Sequence, residues 1–354
     1  MISFNQNTKT IISIGTGGVG KTTLSAAFAV GLAAQGKKIL VLTIDPSQRL
    51  AQALGIKSDG EIYQVQHSAI QAHGGQLFAT TLNHQKVFKE FIFKAAGQSM
   101  IASDVEKLLQ NKLYQQLSTQ LSGSQDFTSL YQLNQYVNSG EYDIVILDTP
   151  PAQHTWGFLT APEKLARLFN EGVSQWFRDA DQKNVGLFKK ILNVGTQQVL
   201  RALESLTGSE FIKELALFFI AVQKWQSPLE KQVWDCHRLL ISKKTEFVLV
   251  TALDSSRISE AQKLSQEIAK QGYNLSSIVI NRVPTITRYA VSSTTGLVFQ
   301  YVNYLKTLEN QLLHTRSRFG SDLQVYKSLE LSNNDVHVQD LKNLFSHIKR
   351  FDTQ

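Results

Sequence analysis

The chain has 354 residues, 42% of them hydrophobic and 18% charged, which is enough apolar material for one large α/β domain with an elaboration and too little charge for wholesale disorder. Its net charge of +7 is mild and spread along the chain without a dense Lys/Arg block, so no nucleic-acid partner is expected. The single cysteine, Cys236, excludes an intrachain disulfide and any Cys-x-x-Cys site for zinc or an iron–sulfur cluster, and a buried, inert thiol is the expectation there.

The start, "MISFNQNTK", lacks the basic and apolar regions of a signal peptide. The longest unbroken apolar run, Leu215 to Val222, is too short to span a bilayer. A cytoplasmic protein with no integral membrane segment is expected. "KTIISIG" (Lys9 to Gly15) is a short apolar run ending at glycines and predicts a buried strand. "TTLSAAFAVGLAAQG" predicts a helix with Gly36 as its stop, and "KILVLTIDP" a second buried strand ending at Asp45 and Pro46. Strand, helix and strand at this spacing make a βαβ unit with a parallel sheet.

Residues 56–135 are more polar and read as mostly helical. "YDIVILDTPP" (Tyr142 to Pro151) is another buried strand, and residues 157–240 read as helical again. "TEFVLVTA" and "SSIVINRV" are two late strands separated by the helical "SEAQKLSQEIAKQG". The expected architecture is one α/β domain over residues 1–354, a mostly parallel sheet flanked by helices, with helical insertions at about 56–135 and 157–240 forming a helical subdomain.

The loop "GTGGVGKTT" (Gly15 to Thr23) admits two readings. Gly15, Gly17 and Gly20 fit the dinucleotide fingerprint G-x-G-x-x-G. Gly15 to Thr22 also fit the phosphate-binding P-loop, G-x-x-x-x-G-K-[ST]. Both place phosphate at a helix N-terminus, and Asp45 at the end of the second strand satisfies either. Three features separate them. Lys21 and Thr22 follow Gly20 directly, as a P-loop needs for the β/γ-phosphates and Mg²⁺. A second apolar strand, "IVILD", ends in Asp148, the Walker-B arrangement that holds Mg²⁺ or its water. Asp45 is followed by Pro46 and "SQRLAQALG", a loop leading into a helix rather than a ribose-binding strand end. These point to a P-loop NTPase that binds ATP and Mg²⁺. Gly17, Gly18, Val19, Gly20, Lys21, Thr22 and Thr23 form the phosphate cradle, and Thr22 and Asp148 are the metal positions.

Other positions carry two readings each. Asp45 could activate the attacking water or cap the next helix. "DTPPAQH" would form a second switch, with His154 either coupling it to the insertion or serving as an ordinary loop residue. Asn281 can pair with an adenine edge through its amide, with Arg282 beside it, or can end the strand as a turn residue. The apolar set Phe188, Ile191, Leu192, Phe211, Leu215, Phe218, Val222 and Trp225 could line a groove for an apolar partner or pack internally. The last helix, "LKNLFSHIKRF", could lie on a membrane, although docking on the core is favoured.

With these residues in place, the chain resembles the ArsA-type ATPases, which include the arsenite-pump subunit and the ATPase that targets tail-anchored membrane proteins. The matching pieces are "GTGGVGKTT", "TIDPSQRLAQALG", "YDIVILDTPPAQHTWGFL" and "VINRV", in the family's order from about residue 9 to 285. The resemblance implies a nucleotide-sandwich dimer, homomeric or with a related ATPase, that hydrolyses ATP and uses its helical insertion to hold a partner, such as an apolar protein segment. By motif match it gives Lys21, Thr22 and Thr23 phosphate and Mg²⁺ roles, Asp45 water activation, Asp148 the Walker-B role and Asn281 adenine recognition. A positioning switch of the MinD or ParA type is the alternative, and the long insertion after Pro151 argues against it.

Four departures matter. Cys236 alone does not supply the cysteines of the metalloid pump, and no Cys-x-x-Cys exists to clamp a dimer with zinc. Met1 and Met100 are the only methionines, so a Met-rich client groove is absent, and the chain carries one nucleotide module rather than a tandem pair. The fourth is Thr16. The family's loop reads G-K-G-G-x-G-K-T, and its first lysine crosses to the partner subunit's phosphates. A trans cation of that kind contributes about 10³–10⁵ in rate, or about 4–7 kcal/mol, against about 0.5–1.5 kcal/mol for a neutral hydrogen bond. Weak homomeric hydrolysis is therefore expected, unless Arg49 or a lysine-bearing partner subunit supplies the charge.

Overall fold

The computed structural model describes residues 1–44, 49–97, 122–149, 152–168, 225–283, 323–331 and 336–351, with a few isolated positions between them. The chain divides into two compact units. The first comprises Met1–Leu82, Gln135–Trp156 and Leu239–Gln354, and the second Asn83–Asn134 and Gly157–Arg238.

The described elements, in chain order, are β1 (Thr10–Gly15), α1 (Lys21–Ala33), β2 (Lys38–Thr43), α2 (Arg49–Leu54), β3 (Tyr63–Gln64), α3 (Ser68–Gln71), β4 (Gln76–Thr81) and α4 (His84–Ala96). There follow α5 (Ser122–Ser139), β5 (Ile144–Asp148), α6 (Ala152–Leu168), α7 (Gln226–Ile241), β6 (Thr245–Ala252), α8 (Ser255–Lys270), β7 (Leu275–Val283), β8 (Gln324–Leu329), α9 (Val338–Ser346) and β9 (Lys349–Arg350).

Among the described residues, the first unit is built on one sheet of nine strands in the order β3-β4-β2-β5-β1-β6-β7-β8-β9. Only the edge pairs β3–β4 and β8–β9 are antiparallel. The five strands expected from apolar runs all form and take the middle of the sheet. β1 is buried at every residue, as a parallel strand covered on both faces must be. Residues 56–82, read as part of a helical stretch, instead carry β3, α3 and β4. "QLFATT" is a half-polar run at the sheet's rim, and it becomes a strand because β2 offers it a parallel register from Lys38–Gln76 to Thr43–Thr81. β8 at the opposite rim was likewise not marked by an apolar run, and the stretch read as the last helix stops at Ser346, its end Lys349–Arg350 pairing with β8 as strand β9.

α1 follows the loop and is buried continuously from Leu24 to Ala33. A helix apolar all round needs cover on every side. The sheet covers one side and the C-terminal segment contributes to the other: Leu341, Leu344 and Phe345 of α9 and Ile348 just beyond it are all buried. The C-terminal apolar face is thus docked on the core, not free to lie on a membrane. Gly31 makes that contact possible, because a Cβ there would lie 2.1 Å from the Phe345 ring.

The second unit is helical among its described residues. Its core is aromatic: Phe91 meets Phe127 at 4.9 Å and Tyr131 at 5.3 Å between ring centroids, both edge-to-face. Trp225 is buried and so belongs to the core rather than to an open groove; the other seven residues of that candidate groove lie outside the described residues. Cys236 is buried, and desolvation pushes its thiol pKa up, which makes it inert as expected. Among the described residues no helix is long and apolar enough to cross a membrane.

Candidate functional site

The glycine loop joins β1 to α1 at the carboxyl end of the central strands. Two of its glycines are sterically required. Gly15 pairs with Val250 in the β1–β6 ladder, at φ 152°, and a Cβ there would sit 2.1 Å from the Val250 carbonyl oxygen. Gly20 caps α1 at φ 88° and ψ 28°, and its Cβ would sit 2.3 Å from Asn281 Nδ2. Between them Gly18 is exposed, Gly17 half-buried and Val19 buried, so the loop tip is open while its base is anchored.

Lys21 curls back over this loop. Its Nζ donates to the carbonyl oxygens of Gly15 at 2.9 Å and Thr16 at 3.0 Å. The residue is only 7% exposed, so the loop's own backbone solvates the buried ammonium and holds it in place before any ligand arrives. Thr22 and Thr23 follow in the first turn of α1, both half-buried. The first turn of a helix leaves backbone N–H groups unpaired and carries the positive end of its dipole, which suits phosphate.

Asp148 ends β5, paired in register with Ser13 of β1 on one side and Thr43 of β2 on the other. It is fully buried. Its Oδ2 accepts from Thr43 Oγ1 at 3.1 Å and its Oδ1 from Ser25 Oγ at 3.4 Å. Ser25 stands one helical turn beyond Lys21, whose carbonyl oxygen it also contacts at 2.9 Å. The next residue, Thr149, donates from Oγ1 to Ser13 O at 2.6 Å, tying the chain beyond β5 to β1. Sequence reasoning missed Ser25 and Thr43. Their only signal is a hydroxyl at a strand end and another four residues past Lys21, which means nothing until the strand order is known.

Thr16 is fully buried, and among the described residues its Oγ1 has no hydrogen-bond partner. Where the resembling loops carry a long cation, this chain has a short side chain enclosed by its own fold.

Asn281 lies 262 residues from Val19, yet its Nδ2 donates to Val19 O at 2.8 Å. One amide hydrogen thus braces the loop, and Oδ1 with the second hydrogen remains. Arg282 is exposed and has φ 57°, the only positive φ outside glycine among the described residues. The β7–β8 register shifts between Ile280 and Val283, around it.

A cavity of about 350 Å³ opens beside the start of α1, where Thr22 and Thr23 share its lining with Arg49 and Gln52 of α2 and with His337. Arg49 therefore stands on the same cavity as the loop's threonines. Gln52 and His337 carried no signal in the sequence. Asp45 and Pro46 lie outside the described residues, as do Pro151 and the side chain of His154. Among the described residues no group of three or more His, Cys, Asp or Glu could form a metal cage.

Comparison with known proteins agrees with this geometry. The family pattern described as anion-transporting ATPase matches residues 8–292. A putative arsenical pump-driving ATPase of Aquifex aeolicus is 23% identical over 286 residues, covering 77% of this chain and 63% of its own length. An ATPase ASNA1 homologue of Cryptosporidium parvum is 28% identical over 272 residues, covering 76% of this chain and 63% of its own length. The ATPase get3 of Aspergillus terreus is 26% identical over 280 residues, covering 79% and 74%. The chain thus spans a little under two thirds of the first two relatives. The matched stretch contains the loop, the Asp148 strand and the Asn281 strand end that the fold brings together, and on that combined ground the chain belongs to the ArsA-type anion-transporting ATPase family.

Proposed function

We propose that the chain binds ATP with Mg²⁺ in the Gly15–Thr23 loop, hydrolyses it, and uses the change to regulate a partner. The observation that carries this is Lys21: a buried ammonium held over the loop by two backbone carbonyls, at the N-terminus of α1 and beside the Asp148 strand end. Gly17, Gly18, Val19 and Gly20 would lay their backbone along the phosphates, with Lys21, Thr22 and Thr23 contributing side chains. Thr22 would hold the Mg²⁺ ion, and Asp148, steadied by Ser25 and Thr43, would orient its shell. Asp45 would activate the water, and Asn281 would read the adenine edge with Arg282 beside it.

With Thr16 enclosed and neutral, the charge a partner subunit would receive in trans is missing, and Arg49 on the shared cavity is the proposed substitute. Purified protein is expected to hydrolyse ATP slowly, in preference to GTP, only with Mg²⁺, and more slowly still as Arg49→Ala. Brisk Mg²⁺-dependent turnover unaffected by that change would remove both the weak-hydrolase reading and the role of Arg49.

The assembly would be a dimer, of two copies or with a related ATPase, located in the cytoplasm, and the client an apolar protein segment. The metalloid cargo implied by the name of the Aquifex relative is not carried over, because the one thiol here is buried. An Asp45→Asn chain loaded with ATP should retain its partner during purification from the native cell. Recovery of the variant alone, with wild-type amounts of every other protein, counts against a nucleotide-gated partner.

A further inference from the structure

In a β-strand successive side chains leave on opposite faces, so Asn281 and Arg282 at the end of β7 should not reach the same place. They do. From the position a Gly20 Cβ would occupy, Asn281 Nδ2 is 2.3 Å away and Arg282 Nε 3.9 Å. The left-handed backbone at Arg282, φ 57°, and the register shift around it turn the side chain to the loop side. Backbone of this kind is uncommon for any residue but glycine, and bulges next to sites re-aim side chains. Arg282 makes no ion pair or side-chain hydrogen bond among the described residues, and it is exposed. The strained turn therefore delivers a free planar cation to the mouth of the phosphate loop.

We infer that Arg282 is the base-stacking residue of the nucleotide site, its guanidinium lying on one face of the purine whose edge meets Asn281. This rests on the nucleotide reading above. The phosphate end already has Lys21, the loop backbone and the start of α1. A guanidinium alongside an edge-reading amide is placed for the ring, and a flat, weakly hydrated cation stacks well on an aromatic face.

The test compares two probes on the full chain, ATP and inorganic tripolyphosphate, which shares the phosphates and lacks the base. Arg282→Gly is expected to weaken ATP binding about 3–30-fold and leave tripolyphosphate binding unchanged. Its unliganded melting temperature should hold or rise, since glycine accepts the same φ. Arg282→Lys should lose part of the ATP affinity despite keeping the charge. Equal losses for both probes would make Arg282 a phosphate cation and overturn the inference, and unchanged ATP binding would reduce it to a turn residue. If the wild-type chain binds neither probe, the nucleotide reading itself fails.

Discussion

Lys21→Ala should lower ATP turnover by about 10²–10³-fold. The ammonium is held by Gly15 O and Thr16 O and is nearly sequestered from solvent. On the nucleotide reading proposed above, removing it takes away a charge-assisted contact to the phosphates and also bares two carbonyl oxygens toward them. Hydrogen bonds to charged groups contribute about 1.5–3 kcal/mol each, and an unsatisfied buried acceptor costs a further amount of similar order. Lys21→Arg should not rescue, because the arch over the loop accommodates a compact point charge rather than a planar fork. The measurement is ATP hydrolysis and ATP affinity of both variants, alongside circular dichroism to show the sheet intact. Near wild-type turnover of a folded Lys21→Ala chain would place the chemistry elsewhere.

Gly15→Ala should cost about 3–4 kcal/mol of folding free energy, the largest stability loss expected in the loop. The new Cβ would meet Val250 O at 2.1 Å, Val250 C at 3.0 Å and Val250 N at 3.2 Å. These are backbone atoms of β6, paired to β1 along Thr10–Thr245 to Gly15–Val250, so no side chain can swing aside. Either the central ladder parts or the loop shifts. Gly18→Ala is the control: its φ is 74° but nothing lies within 4 Å of the added Cβ, so only conformational strain of about 1–2 kcal/mol is expected. Urea titration of the three proteins should rank wild type, Gly18→Ala and Gly15→Ala in falling midpoint. A Gly15→Ala midpoint at or above that of Gly18→Ala would contradict the steric argument.

The strands legible from the sequence are those most fully buried. β1, β2, β5, β6 and β7 are covered on both faces, so they read as apolar runs, and α1 reads as a helix because its small and aliphatic residues leave no polar face. The elements that escaped notice lie at the rims. β4 alternates exposed Gln76, buried Leu77, half-buried Phe78 and buried Ala79, and β3 and β9 are two residues each, too short to show any period. An edge strand is a strand because a neighbour accepts its hydrogen bonds, and that neighbour is distant in the chain.

The same division holds for the site. The sequence alone determined the glycine loop, because the phosphate binding proposed for it needs contiguous residues: glycines that permit the tight backbone, a lysine long enough to arch back over it, and the first turn of the helix that follows. It also placed Asp148 and Asn281 at strand ends. Only the tertiary structure decided which groups face one another. The strand order sets β5 and β6 on either side of β1, with β2 beyond β5 and β7 beyond β6. It thereby brings Thr43 and Ser25 onto Asp148, Asn281 onto Val19, and Arg49 and His337 onto one cavity with Thr22. Local backbone preference acts over a few residues, whereas these meetings depend on register across the sheet. The turn at Arg282 shows the difference most plainly: nothing near it in the chain asks for a left-handed backbone, and it is seen only with the β7–β8 register in place.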